Sequence, residues 1–283
     1  MRNPSAFGVD PAGLLPNQEQ GMPSPPEVEL KVDVGIHAAY DEQYTPAIQQ
    51  WRELAGKYKA SNIREVCAGR TFPRVLDVGA GEGAVLLHLD AWPQKKELYA
   101  VEISHSGVSM IQSRRLQSVV EVKQFDGYHL SYPDKFFDLA ILSHVLEHVE
   151  YPRALLREIK RVARQLAIEV PCEYARGADA RVEHFLSYGH IDLYTPTLLR
   201  FLLRSEGFAI LRERLTRATL DVQEYNYFEN SKRRRTLPAL ANRRLRYALA
   251  TLRFRLAPSG FRESLASAYT VLCRPDSELK VFG

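Results

Sequence analysis

From Arg74 onward the chain alternates short apolar runs with stretches of helical period. The runs RVLDVGA (74–80), ELYAVEIS (97–104), SVVEVKQFD (118–126), FDLAILSHV (137–145), QLAIEVP (165–171) and FAILRERL (208–215) predict six strands. Between them the period lengthens. GEGAVLLHL opens a helix after the first strand, and another runs through Met110 and Leu116. Pro152 suits a helix start, where its missing N–H would be unpaired anyway. The helix after it carries Leu155, Leu156, Ile159, Val162 and Ala163 on one face, with arginines and Lys160 turned elsewhere. Thr195 and Pro196 cap a further helix that stops at Gly207. Strand and helix in alternation, with strands that are apolar throughout, predict a parallel sheet covered on both faces. Ligands bind such sheets at the carboxyl ends of the strands.

Before this region, residues 1–34 hold six of the sixteen prolines and little apolar period, which predicts a disordered lead. Residues 35–70 read as a helical cap, with Tyr40, Tyr44, Ile48, Trp51 and Leu54 at three- and four-residue steps. The region 71–216 is the α/β core, 217–264 a basic helical insertion, and 265–283 a last strand with its tail.

Charge is uneven. Between Ser231 and Arg262 there are ten Lys or Arg residues and no Asp or Glu, in a chain whose net charge is only +4. Within this segment Leu245, Leu249, Leu252 and Leu256 form an apolar stripe, and Arg243, Arg246 and Arg253 share another face. Such a helix suits an anionic membrane surface or a lipid-linked saccharide, or packs on the domain by its leucines. Nucleic acid ranks lower, because no RNA-binding module pattern is present. Cys67, Cys172 and Cys273 are too far apart for a metal motif or a disulfide framework. Without a secretory signal or a long apolar run, a cytoplasmic protein is expected, peripheral to the membrane at most.

The strongest local signal is VLDVGAGEG. Gly79, Gly81 and Gly83 sit between a strand and a helix, where a missing Cβ lets backbone approach a ligand. Glu102 ends the second strand nineteen residues after Gly83, suited to a ribose diol. Gly79, Gly81 and Ala84 also match a dinucleotide pattern. Asp77, two residues before the first glycine, would repel a pyrophosphate and attract an ammonium group.

With these residues, and with VEIS, QFDGYHLSYPDKFFDLAILSHVLEHV and GHIDLYTPTLLRFLLRSEGF, the chain resembles the class I S-adenosylmethionine-dependent methyltransferases of small-molecule and glycan type, over roughly residues 74–215. The resemblance implies a Rossmann-like seven-stranded α/β sheet, mostly parallel, with SAYTVLCRP (267–275) as a last antiparallel strand. It implies S-adenosylmethionine as cofactor. Asp77 would hold the methionyl end, Gly79, Gly81 and Gly83 the backbone approach, and Glu102 the ribose. Ile103 would pack on the adenine, Asp126 would accept from its amino group beside Gly127, and Ser143 would lie under the sulfonium.

The expected acceptor is a small molecule or saccharide, methylated on oxygen or nitrogen. His148 is the first choice of base and His144 the second, on one helical face with Glu147 if that segment is helical. No metal is expected. The alternative is metal-assisted: H-x-x-E-H (144–148) partly resembles the E-x-x-E-H of metal-dependent methyltransferases acting on RNA 3′ ends and ubiquinone precursors, with His190 or His184 completing the set. A nicotinamide-dependent oxidoreductase and a non-catalytic binding protein of the same fold are the remaining alternatives. Tyr40, Tyr44, Phe185, Tyr188 and Tyr194 are candidates to line the acceptor pocket, and His190 to hold a loop over it.

Overall fold

The computed structural model describes residues 30–32, 46–173, 181–187 and 189–276. The proline-rich lead, Tyr40, Tyr44 and Tyr188 lie outside the described residues, as does the side chain of His184.

Seven strands form one sheet: β1 (Arg74–Val78), β2 (Glu97–Glu102), β3 (Val119–Gln124), β4 (Leu139–Ser143), β5 (Leu166–Pro171), β6 (Phe208–Thr216) and β7 (Ala268–Pro275). Their order across the sheet is β3-β2-β1-β4-β5-β7-β6. The first five pair in parallel, and β7 runs antiparallel between β5 and β6. β4 and β5 are buried along their whole length, which is why their sequences lack the alternation of a one-sided sheet.

The helices are α1 (Pro46–Val66), α2 (Ala84–Asp90), α3 (His105–Ser113), α4 (Pro152–Val162), α5 (Val182–Ser187), α6 (Pro196–Ser205), α7 (Leu220–Tyr225), α8 (Leu237–Leu256) and α9 (Ser259–Glu263). The start signals act as their chemistry dictates. Ser104 and Thr195 accept backbone N–H bonds from Gly107 and Leu198, and Pro152 opens α4. α4 buries Leu155, Leu156, Ile159 and Val162 and turns Arg153 and Arg157 onto Glu206, at 2.6 and 2.8 Å.

α1 packs against α2, joining Ala60, Ile63 and Val66 to a core of Leu86, Leu89, Leu98 and Ile141. Arg114 then ties three parts together, reaching Glu53 on α1 at 3.1 Å and the backbone O of Glu82 at 2.7 Å. Asp77, Glu102 and Ser143, at the carboxyl ends of β1, β2 and β4, line one cavity with Arg52, Tyr58 and Lys59 of α1, and the site lies there.

Candidate active site

The turn after β1 is built on left-handed backbone. Gly79, Gly81 and Gly83 have φ of 69°, 58° and 81°. Gly79 is further constrained, since a Cβ there would stand 2.8 Å from Val145 Cγ2. The N–H groups of Gly79 and Ala80 bond Val101 O, which fastens the turn to β2.

Three carboxylates close around this turn. Glu102, almost fully buried, accepts the Gly81 N–H at 2.8 Å on one oxygen and both the N–H and hydroxyl of Ser104 on the other. Burial raises its pKa, opposed by these hydrogen bonds. Asp77 is 3% exposed, with Oδ2 unpartnered among the described residues. Burial, with the charge of Glu102 added, pushes its pKa up to about 7, and Lys59 opposes the shift. Glu82, also buried and on the cavity wall, faces Arg52 at 3.7 Å and Arg114 at 3.4 Å.

One cavity of about 970 Å³ joins this region to a second set of side chains. Asp77, Gly79, Gly81, Glu102, Ile103, Gly127 and Ser143 line its first half; His144, His148 and His190 line the second, with Tyr58, Lys59 and Glu173. Gly83 and Asp126 are not on its wall. Asp126 instead accepts the backbone N–H groups of Tyr128 and His129 at 2.8 and 2.7 Å and pairs with the His129 ring, organising the turn that presents Gly127. Val32 rests against Gly127, its N–H on Asp126 O.

The two histidines near β4 do not share a helical face. His144 sits in the left-handed region, φ 56°, and only Leu146–His148 form a short 3₁₀ turn. Its ring is held between buried carboxylates, Nε2 to Glu169 at 3.2 Å and Nδ1 to Glu147 at 3.3 Å, and Glu169 takes the Thr270 hydroxyl at 2.6 Å. Burial and Lys59 push the His144 pKa down, but the two carboxylates outweigh them and raise it. Burial would raise the Glu147 carboxyl, yet the adjoining His144 cation holds it at about 2.

His148 faces the other way. Its Nδ1 donates to Gly189 O at 2.9 Å, so in the neutral ring Nε2 carries the lone pair. Burial lowers its pKa against the pull of Glu147, which keeps the ring neutral near pH 7. The His190 ring lies 4.8 Å away, edge to face, with its Nδ1 2.6 Å from Glu173 Oε2. One ligand atom each from Glu147, His148 and His190 lies within 4.8 Å of the others. His144, whose Nδ1 is 3.3 Å from Glu147, is not one of the three.

Phe185 and Tyr194 are buried away from the cavity wall, so neither lines the pocket. Lys59 is the residue that sequence patterning passed over. It projects from α1 into the cavity among Glu147, Glu169, Arg52 and Asp77, and burial lowers its pKa. The available signal was a lysine following Ala55 and Gly56 on the face that α1 turns to the sheet.

The first half of the cavity fits S-adenosylmethionine. A glycine turn gives backbone access, the buried orphan Oδ2 of Asp77 suits an ammonium, and Glu102 suits a diol. Comparisons agree. A family model described as a methyltransferase domain matches residues 40–213. Ajmaline N-methyltransferase from Rauvolfia serpentina is 33% identical over 38% of this chain and 42% of its own. Phosphatidylethanolamine N-methyltransferase from Cereibacter sphaeroides is 28% identical over 32% and 46%. The chain thus spans less than half the length of these curated relatives.

Among solved structures, the [4+2]-cyclase SpnF has a TM-score of 0.56 at 19% identity, over 86% of this chain and 96% of that one. Haemonchus contortus phosphoethanolamine N-methyltransferase 2, in complex with S-adenosyl-L-methionine, has a TM-score of 0.61 at 10% identity, over 87% and 61%. At these identities the likeness is one of fold. The match over most of the chain sets aside the nicotinamide reading, and this chain belongs to the class I S-adenosylmethionine-dependent methyltransferases.

Proposed function

We propose that the protein transfers a methyl group to a nitrogen or oxygen of a small-molecule acceptor seated in the half of the cavity walled by Tyr58, Lys59, His148, Glu173 and His190. The observation that supports this reading is the continuity of the cavity: Asp77 and Ser143 line the same cavity as Tyr58, Lys59, His148, Glu173 and His190. The names of the two curated relatives favour nitrogen over oxygen, and over a saccharide acceptor.

When bound, S-adenosylmethionine supplies a methyl group already activated on sulfur. The chain's own residues do the rest. Asp77 holds the ammonium end and Glu102 the ribose. Ile103 and the Gly127 backbone flank the adenine, and Ser143 marks the sulfonium end. The second half fixes the acceptor in line, an effect worth about 7–11 kcal/mol at best. His148, with its lone pair directed by the Gly189 bond, takes the acceptor's proton.

Calorimetric titration with S-adenosylhomocysteine, with NAD and NADP alongside, tests the cofactor half. Micromolar binding to the first alone is expected. Mass-spectrometric detection of methylated product across a panel of amines, hydroxyl compounds, thiols and carbon nucleophiles then tests the acceptor half. Methylated products confined to carbon or sulfur acceptors would overturn it.

A second reading is favoured by the mutual approach of Glu147, His148 and His190. Two imidazoles and one carboxylate suit zinc, manganese or iron, which would make His148 a ligand in place of a base. Elemental analysis of the protein, with His190→Ala as control, separates the two: stoichiometric metal lost in the variant supports the second reading.

A further inference from the structure

α8 carries a feature that methyl transfer does not use. None of its residues is buried, although it is 20 residues long and rich in leucine. Leu245, Leu249, Leu252 and Leu256 are 54–74% exposed. At ~100° per residue these four fall within about 60° of one another, a stripe roughly 16 Å long. On the same wheel Arg246 and Arg253 run along one flank of the stripe, and Arg244 and Arg255 along the other.

The opposite side of the helix is the one held by the protein. Leu240, Arg243, Tyr247, Ala250 and Phe254 are half-buried there. Arg243 reaches Gln223 at 3.4 Å and stacks over Tyr227, while Arg235 and Arg244 reach Glu224. The leucines are therefore not the docking face. They point away from it, and Phe261, 47% exposed, lies under the Arg253 guanidinium on the helix that follows.

We propose that α8 is a membrane-surface helix: its leucine stripe enters the interface of an anionic lipid bilayer, and Arg246, Arg253 and Arg255 beside it meet the headgroups. Charge selects this occupant. The segment from Ser231 to Arg262 has ten basic residues and no acidic one. A second copy seated on the stripe would bring arginine rows together, and like charges in contact are unfavourable. A nucleic acid would meet the arginines but leave the leucines in water. An anionic bilayer satisfies both sets at once. No helix among the described residues is long and apolar enough to cross a membrane, so the contact is along the surface. Asn226, Asn230 and Ser231 line the cavity and lead directly into α8, so a docked helix holds one cavity wall at the lipid surface.

The test is co-sedimentation of the full chain with vesicles of phosphatidylcholine alone, and of phosphatidylcholine mixed with phosphatidylglycerol. Binding to the mixed vesicles only, weakening as salt rises, is expected. The double variant Leu249→Glu, Leu252→Glu and, separately, Arg246→Glu with Arg253→Glu should each lower the partition coefficient by about tenfold or more. S-adenosylhomocysteine binding and far-ultraviolet dichroism, unchanged in both variants, establish that the fold is intact. Absence of wild-type binding to the mixed vesicles would overturn the proposal, as would variants that bind like wild type. So would a leucine-dependent dimer in light scattering, which would assign the stripe to a second copy.

Discussion

Gly56 lies against the first residue of α2: a Cβ built on it would stand 2.6 Å from Ala84 O and 2.9 Å from Ala84 Cβ. The cap helix therefore touches the backbone from which the helix behind the glycine turn begins. Arg52 and Lys59, on either side of Gly56 along α1, are set in the cavity by that contact.

Substituting Gly56→Ala should consequently destabilise the protein, although alanine is the better helix former by about 1 kcal/mol. The added methyl meets backbone, which cannot rotate away, and overpacking of that kind costs about 1–3 kcal/mol. Thermal unfolding and cofactor titration together check this. A melting point equal to or above wild type would contradict it.

Asp77 makes cofactor binding and apo stability respond to pH in opposite directions. Its folded pKa of about 7 lies above the ordinary 3.8, so the folded state holds an extra proton between these values. By linkage, its contribution to apo stability is fully present below about pH 4 and is lost as pH rises to about 7. Ammonium recognition needs the ionised form, so S-adenosylhomocysteine affinity should fall as pH drops below 7, by up to about tenfold per unit. Asp77→Asn should flatten both profiles and weaken binding by roughly tenfold or more. A pH series of titrations and melts on both proteins measures this.

The two histidines should fail differently. His148→Ala is expected to cut turnover by roughly 10²–10⁴-fold with cofactor affinity nearly unchanged. His144→Ala removes the partner of two buried carboxylates, Glu147 and Glu169, and should cost about 3–5 kcal/mol of stability. Melting curves beside single-turnover rates discriminate them. Equal loss of stability in both variants would reject the division of roles.

Glu102→Ala should weaken S-adenosylhomocysteine binding by more than a ribose contact alone, because it also releases the Gly81 N–H. Glu102→Gln keeps an oxygen for that N–H and is expected to lie between wild type and alanine in a calorimetric titration. Alanine and glutamine variants of equal affinity would mean that the Gly81 bond is irrelevant to the cofactor.

β4 and β5 were readable because strands buried on both faces are apolar throughout; six of the seven strands occupy runs that sequence pattern marks, and the seventh is the one the family resemblance supplied. The glycine turn was readable for a related reason: Asp77 through Gly83 are neighbours in the chain, so their chemistry is local. His144 was misread because helical spacing assumes helical backbone, and a residue at φ 56° breaks the face it was assigned to. Lys59, the Glu169–Glu173 stretch and His190 belong to three separate segments. Only packing brings them together, and no spacing along the chain encodes that. Asp126 lies in an Asp-Gly pair, which serves a turn as readily as a ligand, and here both its oxygens take turn bonds.

The position of β7 between β5 and β6 has a consequence for how the chain reaches this state. Among the described residues β6 pairs with β7 alone. During synthesis residues 208–216 therefore emerge without a partner, and remain so until residues 268–275 have followed them out. The whole arginine-rich stretch is made in that interval. A ribosome that pauses there leaves β5 and β6 with open edges, the state in which strands find wrong partners. Completion of the sheet is a late, long-range event.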